Sequence, residues 1–73
     1  MVYTEALEEA KRFNVLLNRP IAVTRCSSAT IGAKNGEYRI HSFIPGQNVK
    51  IGTVFTTLGI LMNSYEEVVF IVE

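Results

Sequence analysis

The chain has no aspartate and no tryptophan, and it contains one cysteine, Cys26, and one histidine, His41. A single cysteine cannot form a disulfide within the chain, which favours a reducing compartment. One cysteine and one histidine are also too few to complete a four-ligand zinc site. The sequence therefore predicts a domain that needs neither a disulfide nor a metal.

Catalytic residue types are scarce as well. The only nucleophile and base that could act together are Cys26 and His41, and Glu37 lies too far along the same expected strand to orient His41. The alternatives are that Cys26 is a small core residue and that His41 faces solvent from a strand. The chain also lacks the glycine-rich nucleotide loops G-x-x-x-x-G-K-[ST] and G-x-G-x-x-G. We therefore expect no catalytic residues, no cofactor and no enzyme activity.

Long hydrophobic runs and export signals are absent from the sequence. The longest strongly apolar stretch, Val68–Val72, is far shorter than the roughly 20 residues that cross a bilayer. Glu5, Glu8 and Glu9 stand where a signal peptide would carry positive charge. We therefore expect a cytoplasmic protein without membrane contact.

The residues that are present suit one small domain, spanning 1–73. The apolar fraction is 48%, enough for a single core, and the net charge is zero. The charge is uneven, because residues 19–50 are mainly basic and both ends are acidic. This distribution predicts either a two-signed surface for a charged partner or ordinary solvated faces.

The N-terminal third predicts a helix. It should start near Thr4, before an acidic first turn, and be over by Arg19, because the following Pro20 disfavours helical geometry in the residue before it. Apolar residues recur at helical spacing and predict one buried stripe. The stripe consists of Ala6, Leu7, Ala10, Phe13 and Leu17.

The remainder predicts strands joined by turns. Ile21–Cys26 is a first strand, Asn35-Gly36 is a hairpin signal, and residues 37–44 alternate as a strand with one buried face does. Pro45-Gly46 suits a type II turn, after which another strand should follow. Val68–Val72, apolar on both faces, predicts either a central strand or a strand whose outer face is covered.

Three stretches are less regular. Ser27–Ile31 suggests a looser extension of the first strand, and Asn63-Ser64 predicts a break. Residues 49–62 fit a strand or a helix, and the threonines favour a strand. The expected fold class is therefore α+β, with an N-terminal helix packed on a small antiparallel sheet of four or five strands.

Two kinds of binding surface fit this fold. Arg39, His41 and Phe43 would lie on one sheet face. Proteins that bind single-stranded nucleic acid combine aromatic side chains that stack on bases with cationic side chains that contact phosphates in this way. Against this function, zero net charge removes much of the electrostatic affinity for nucleic acid. A small sheet with one helix also leaves a face or an edge open to a protein partner. Aromatic and cationic residues are the candidate contacts for such a partner. They are Arg25, Arg39, His41, Phe43, Lys50 and Tyr65. For two of them the alternative is that Phe43 packs under the helix and that Arg25 is merely solvated.

From MVYTEALEEAKRF to EEVVFIVE, the chain in outline resembles the small host-takeover proteins of lytic phages that bind bacterial RNA polymerase. In length and helix-then-sheet order it is similar to a member from a Xanthomonas phage that inhibits initiation and permits antitermination. The resemblance implies large polymerase subunits as the partner and the bacterial host cytosol as the location. It also implies inhibition by wedging against polymerase or by displacing a specificity factor.

The sequence thus predicts a non-enzymatic, protein-binding regulator, and the resemblance implies that it acts on transcription. One alternative is a single-stranded nucleic-acid-binding domain. Another is a self-assembling structural subunit, in which a homo-oligomer buries the second sheet face.

Overall fold

The structure is a computed structural model that describes residues 1–26, 36–58 and 63–73. It has one helix packed on a four-stranded antiparallel sheet, which confirms the predicted fold class. The elements are α1 (Tyr3–Leu17), β1 (Ile21–Cys26), β2 (Tyr38–Ser42), β3 (Val54–Leu58) and β4 (Asn63–Val72).

Helix α1 begins one residue earlier than Thr4. Val2 occupies the N-cap position and its carbonyl accepts a hydrogen bond from the amide of Ala6 at 3.0 Å, but no side chain caps the helix. Asn18 ends the helix in the left-handed region, with φ 51°, a conformation that asparagine tolerates better than most residues. The predicted end of the helix before Arg19 is therefore confirmed.

The apolar stripe of α1 is buried along most of its length. Ala6 and Ala10 are fully buried against Ile21 and Val23 of β1, and their small side chains allow close approach of helix and sheet. The prediction for Leu17 is wrong, because this side chain is 47% exposed. The neighbouring residues of the last turn are exposed too, so packing against the sheet ends earlier than the apolar pattern does.

The strand order in the sheet is β2-β1-β4-β3. Strands β1 and β4 are central, as predicted for Val68–Val72, while β2 and β3 form the two edges. On the helix side, Val23 lies opposite Ile40 of β2 and Phe70 of β4. Because β2 and β3 are at opposite edges, the chain between them must cross about three strand spacings, or about 14 Å.

The crossing begins with the turn predicted at Pro45-Gly46. Gly46 has φ 101°, which the third position of a type II turn requires, and the Gln47 amide donates to the Ile44 carbonyl at 3.1 Å. The Gln47 side chain also closes this turn, since its Oε1 accepts from the Ile44 amide at 2.9 Å. The next strand is β3, but it does not pair with β2.

The less regular stretches have mixed outcomes. Within residues 49–62, the strand prediction is confirmed for β3 but wrong for residues 49–53, which form a turn before it. Residues 59–62 lie outside the described part. The predicted break at Asn63-Ser64 is wrong, because these residues begin β4 opposite Leu58 and Thr57. Pairing with β3 outweighs the turn preference of asparagine and serine.

The hairpin signal at Asn35-Gly36 is described only in part. Gly36 has φ 85°, and its amide donates to the Cys26 carbonyl at 2.8 Å, so the chain closes on the end of β1 at this point. Asn35 and the predicted extension Ser27–Ile31 lie outside the described residues.

Candidate polar cavity on the sheet face opposite the helix

A group of polar side chains occupies the sheet face that points away from α1. Thr24 of β1 lies opposite Arg39 of β2, and Ala22 lies opposite His41. On the other side of β1, Cys26 lies opposite Glu66 of β4. Because residues directly opposite one another in a ladder share a face, the three strands bring these side chains together.

A β-bulge decides that Glu66 belongs to this face. Val23 pairs with Phe70 and the next residue, Thr24, pairs with Val68, so Val69 is an extra residue in β4. Strict alternation back from Val72, which packs on the helix side, would have turned Glu66 toward the helix. The extra residue reverses the alternation and turns Glu66 to the opposite face.

Glu66 is the centre of the polar group. Its side chain is only 10% exposed. Its Oε1 atom accepts a hydrogen bond from the Thr24 hydroxyl at 2.8 Å and contacts Nε2 of His41 at 2.9 Å. Its Oε2 atom lies 4.0 Å from Nη1 of Arg39, which is close enough for an ion pair.

The contacts of Glu66 keep its carboxylate ionised. Burial acts to raise the pKa of Glu66, but the hydrogen bonds from His41 and Thr24 and the charges of His41 and Arg39 outweigh it, so the pKa lies below its ordinary value of 4.5. An ionised carboxylate only accepts hydrogen bonds. Nε2 of His41 therefore donates to Glu66.

Next to Glu66 lies an open cavity of about 320 Å³. Its floor includes Ala22 and Glu66 of the sheet, and its polar wall includes His41. The segment that crosses from β2 to β3 contributes Phe43, Gln47 and Val49 to the lining of the cavity, and strand β3 contributes Phe55. The cavity is thus lined by two aromatic side chains and a buried carboxylate, and it combines apolar residues with a few polar groups, as ligand sites commonly do.

Three of the sequence-predicted binding residues meet on this face. Arg39 and His41 contact Glu66, and Phe43 lines the cavity together with His41. Phe43 lies beyond the end of β2 and lines this cavity, and it also borders a second cavity with Asn14 and Asn18 at the C-terminal end of α1. Alternation along β2 places all three on one side.

The other three predicted residues are not part of this group. Arg25 lies on the helix-side face of β1, is exposed, and pairs with Glu67 at 3.7 Å. Tyr65, which is 40% exposed, shares the face of Glu67 by alternation along β4. Lys50 is exposed in the crossing segment but does not line the cavity.

Cys26 and His41 do not form a pair. His41 lies opposite Ala22, so Cys26 is four residues further along β1, about 13 Å away in the strand direction. Cys26 is buried, and burial raises the pKa of its thiol, which disfavours the reactive thiolate. Its position therefore matches the alternative of a small core residue.

The central residue of the site, Glu66, was missed by sequence reasoning. Tyr65, Glu66 and Glu67 follow the apparent break at Asn63-Ser64, so they did not look like part of a strand. A charged residue next to the apolar run Val68–Val72 was the available signal. Even with β4 extended to Asn63, regular alternation would have selected Glu67 for the cavity face, because the bulge has no clear mark in the sequence.

Comparison with protein-family models, with curated proteins and with solved structures finds no match to this chain. Among residues 1–26, 36–58 and 63–73, no group of three or more His, Cys, Asp or Glu side chains is placed to hold a metal ion. No helix in the same described part is long and apolar enough to cross a membrane.

Proposed function

We propose that this chain is a non-enzymatic, protein-binding regulator that contacts its partner with the sheet face opposite α1. The observation on which the proposal rests is the open cavity of about 320 Å³, with Phe43 and Phe55 at its sides and the buried Glu66 at its floor. Helix α1 packs on the other side of the sheet. On this face the residues of β1 are buried, whereas the side chains of Arg39, His41 and Phe55 around the cavity are exposed.

The residues around the cavity are of the types that dominate protein interfaces. Phe55 is 41% exposed, and the side chain of Arg39 is 39% exposed. Aromatic residues and arginine supply much of the binding energy in protein complexes, particularly beside a pocket that accepts a partner side chain. The hydrogen bonds of Glu66 hold Thr24 and His41 in place, so this part of the surface is organised before a partner arrives.

Two observations support a role without catalysis. The pair of His41 and Glu66 has the chemistry of a base and its orienting carboxylate, but within the described residues no hydrogen bond joins His41 to a serine, threonine or cysteine. Cys26 is remote from His41 along the strand and its thiol is not activated. The described part thus supplies the base without a nucleophile.

The partner that we propose is a bacterial RNA polymerase. This part of the proposal comes from the resemblance of the whole chain to phage proteins that bind polymerase, inhibit initiation and permit antitermination. The chain would then act stoichiometrically, by occupying a surface of the large subunits in the host cytosol. The two-signed charge distribution is compatible with such a partner.

A second candidate function is the binding of single-stranded nucleic acid. It is favoured by the shared face of Arg39, His41 and Phe43, since cationic and aromatic side chains on a sheet can stack bases and contact phosphates. Glu66 weighs against it, because a buried carboxylate between Arg39 and His41 offsets positive charge where phosphate would bind.

The experiment that tests the proposal measures binding to purified bacterial RNA polymerase, followed by in vitro transcription. We expect the double variant Arg39→Glu, Phe43→Ala to lose binding and inhibition, because both changes fall on the cavity face. The matched variant Arg25→Glu, Tyr65→Ala makes the same kinds of change on the other face and should bind normally. Circular dichroism checks that both remain folded.

The same variants, tagged and used to capture partners from bacterial lysate with and without nuclease, separate the two candidate functions. Capture of polymerase subunits that resists nuclease supports the regulator. Capture that disappears with nuclease supports nucleic-acid binding instead. Equal polymerase binding by both double variants would rule out the cavity face as the contact surface.

A further inference from the structure

Among the described residues, no hydrogen-bond donor reaches the Oε2 oxygen of the buried Glu66 carboxylate. Both hydrogen bonds that reach Glu66 from the described residues are made to Oε1. Oε2 forms an ion pair with Nη1 of Arg39, but their distance of 4.0 Å is longer than a hydrogen bond. An ionised oxygen that is nine-tenths buried and lacks a donor is unfavourable, and a ligand that supplies a donor would relieve this cost.

A ligand that enters the cavity from solvent reaches Glu66. The residue lines the cavity directly, together with Phe43 and Phe55. The face of a phenyl ring attracts a cation, and apolar walls suit the aliphatic part of a lysine or arginine side chain. The cavity volume of about 320 Å³ lies near the lower end of the range of roughly 300–1,000 Å³ for ligand sites, which suits one side chain.

The charge of the cavity favours a cationic guest over an anionic one. An anionic guest would meet the Glu66 carboxylate on the floor of the cavity. Arg39 opposes a cation less strongly than the buried carboxylate attracts it, because its side chain is 39% exposed and its charge is screened by solvent.

We propose that the cavity formed by Glu66, His41, Phe43 and Phe55 is an anchor site for a basic side chain, arginine or lysine, presented by a partner protein. The ammonium or guanidinium group would donate to Oε2 of Glu66, and its stem would lie between Phe43 and Phe55. The identity of the partner as a protein rests on the proposed function, whereas the preference for a cation rests on the cavity itself.

The test titrates the full chain with N-acetyl-L-argininamide, N-acetyl-L-lysinamide and the neutral analogue N-acetyl-L-norleucinamide, followed by amide chemical shifts in NMR spectra. We expect the two cationic probes to shift the amides of His41, Phe43, Phe55 and Glu66. The neutral analogue should bind at least about tenfold more weakly, because it lacks the charged donor.

Two glutamate-to-glutamine variants distinguish the effect of the Glu66 carboxylate on binding from an effect on folding. Glu66→Gln should weaken the binding of N-acetyl-L-argininamide by about tenfold or more, because it removes the charged acceptor. Glu67→Gln changes the neighbouring glutamate on the other face and should bind as the unaltered chain does. Equal affinity of the cationic and neutral probes, or shifts that map outside the cavity, would overturn the proposal.

A further variant covers the case in which Glu66→Gln does not fold. Phe55→Leu keeps an apolar wall but removes the aromatic ring, so it should weaken cation binding and leave norleucinamide binding unchanged. Unchanged cation binding in Phe55→Leu would contradict the proposed geometry. Cation binding at the cavity without polymerase binding would support the anchor site and refute the proposed partner, whereas polymerase binding without cation preference would do the reverse.

Discussion

Glu66 is the residue with the most unusual environment in the described structure. Its side chain is 10% exposed and yet charged, and it depends on Thr24 and His41 for compensation. Buried ion pairs contribute little to net stability compared with well-packed apolar residues, but the loss of one partner is costly. We therefore assign this group, which lies beside an open cavity, to the proposed binding site.

At the residue scale, we expect Glu66 to make stability depend on pH in the acidic range. Its pKa is lower in the folded chain than the ordinary value of 4.5, so the folded state binds the proton more weakly than the unfolded state. The stabilisation is present above that value and is lost as the pH falls through the folded pKa. Urea denaturation between neutral pH and about pH 3 measures this change.

The variants Glu66→Gln and Glu67→Gln show which glutamate causes the change of the free energy of unfolding with pH. Glu66→Gln cannot titrate at this site, so its free energy of unfolding should fall less between neutral and acidic pH than that of the unaltered chain. Glu67→Gln retains Glu66 and should retain its contribution. A slope that is the same in Glu66→Gln as in the unaltered chain would show that Glu66 does not supply it.

At the scale of elements, close packing of α1 on β1 depends on two alanines. Ala10 is fully buried against the sheet. We expect Ala10→Leu to lower the free energy of unfolding by about 1–3 kcal/mol, because the larger side chain must push helix and sheet apart. Thermal or urea denaturation measures the difference.

The matched control introduces a leucine at an exposed position near the C-terminal end of the helix. Val15 is 83% exposed, so Val15→Leu should change the free energy of unfolding by less than about 0.5 kcal/mol. A loss of stability as large in Val15→Leu as in Ala10→Leu would mean that helix composition, and not packing against β1, causes the effect.

Local patterns in the sequence were sufficient for several elements. The helical spacing of Ala6 and Ala10, the alternation around Ile40 and the apolar run Val68–Val72 each reflect burial that is determined close by in the chain. They therefore predicted α1, β2 and the central position of β4 correctly. The type II turn at Pro45-Gly46 was predictable for the same reason, since its requirement is local.

Other features depend on partners distant in sequence. Asn63 and Ser64 form strand because β3 pairs with them, and the pairing of β3 with β4 instead of β2 follows from topology. The candidate site shares this dependence. Arg39, His41 and Phe43 were grouped correctly by alternation on one strand, whereas Glu66 joins them through β1 and the bulge, which no local pattern indicated.

At the scale of the whole molecule, zero net charge limits one candidate function. A chain that binds nucleic acid through phosphates loses affinity steeply with salt, because each contact releases counterions. We expect binding of a fluorescent single-stranded oligonucleotide to be weak and to change little between low and moderate salt. Fluorescence anisotropy over a salt series measures both quantities.

The salt dependence of oligonucleotide binding distinguishes the nucleic-acid function from the protein-binding function. Tight binding with a steep loss at moderate salt would favour the nucleic-acid function and would direct attention to Arg39 and His41. Light scattering on the same samples addresses the third hypothesis, because a self-assembling subunit would show a mass that increases with concentration, whereas a free regulator would retain the mass of one chain.

The bulge at Val69 also has a consequence for how this chain should be aligned with any relative. Glu66 and Val72 are six positions apart, an even separation that in a regular strand would direct both side chains to one face. Here the two side chains point to opposite faces. A related strand without the bulge would need an odd separation to bring a carboxylate beside the same threonine. Equivalent positions should therefore be matched by orientation, even where this opens a one-residue gap, because an ungapped alignment would equate Glu66 with a residue of the wrong face.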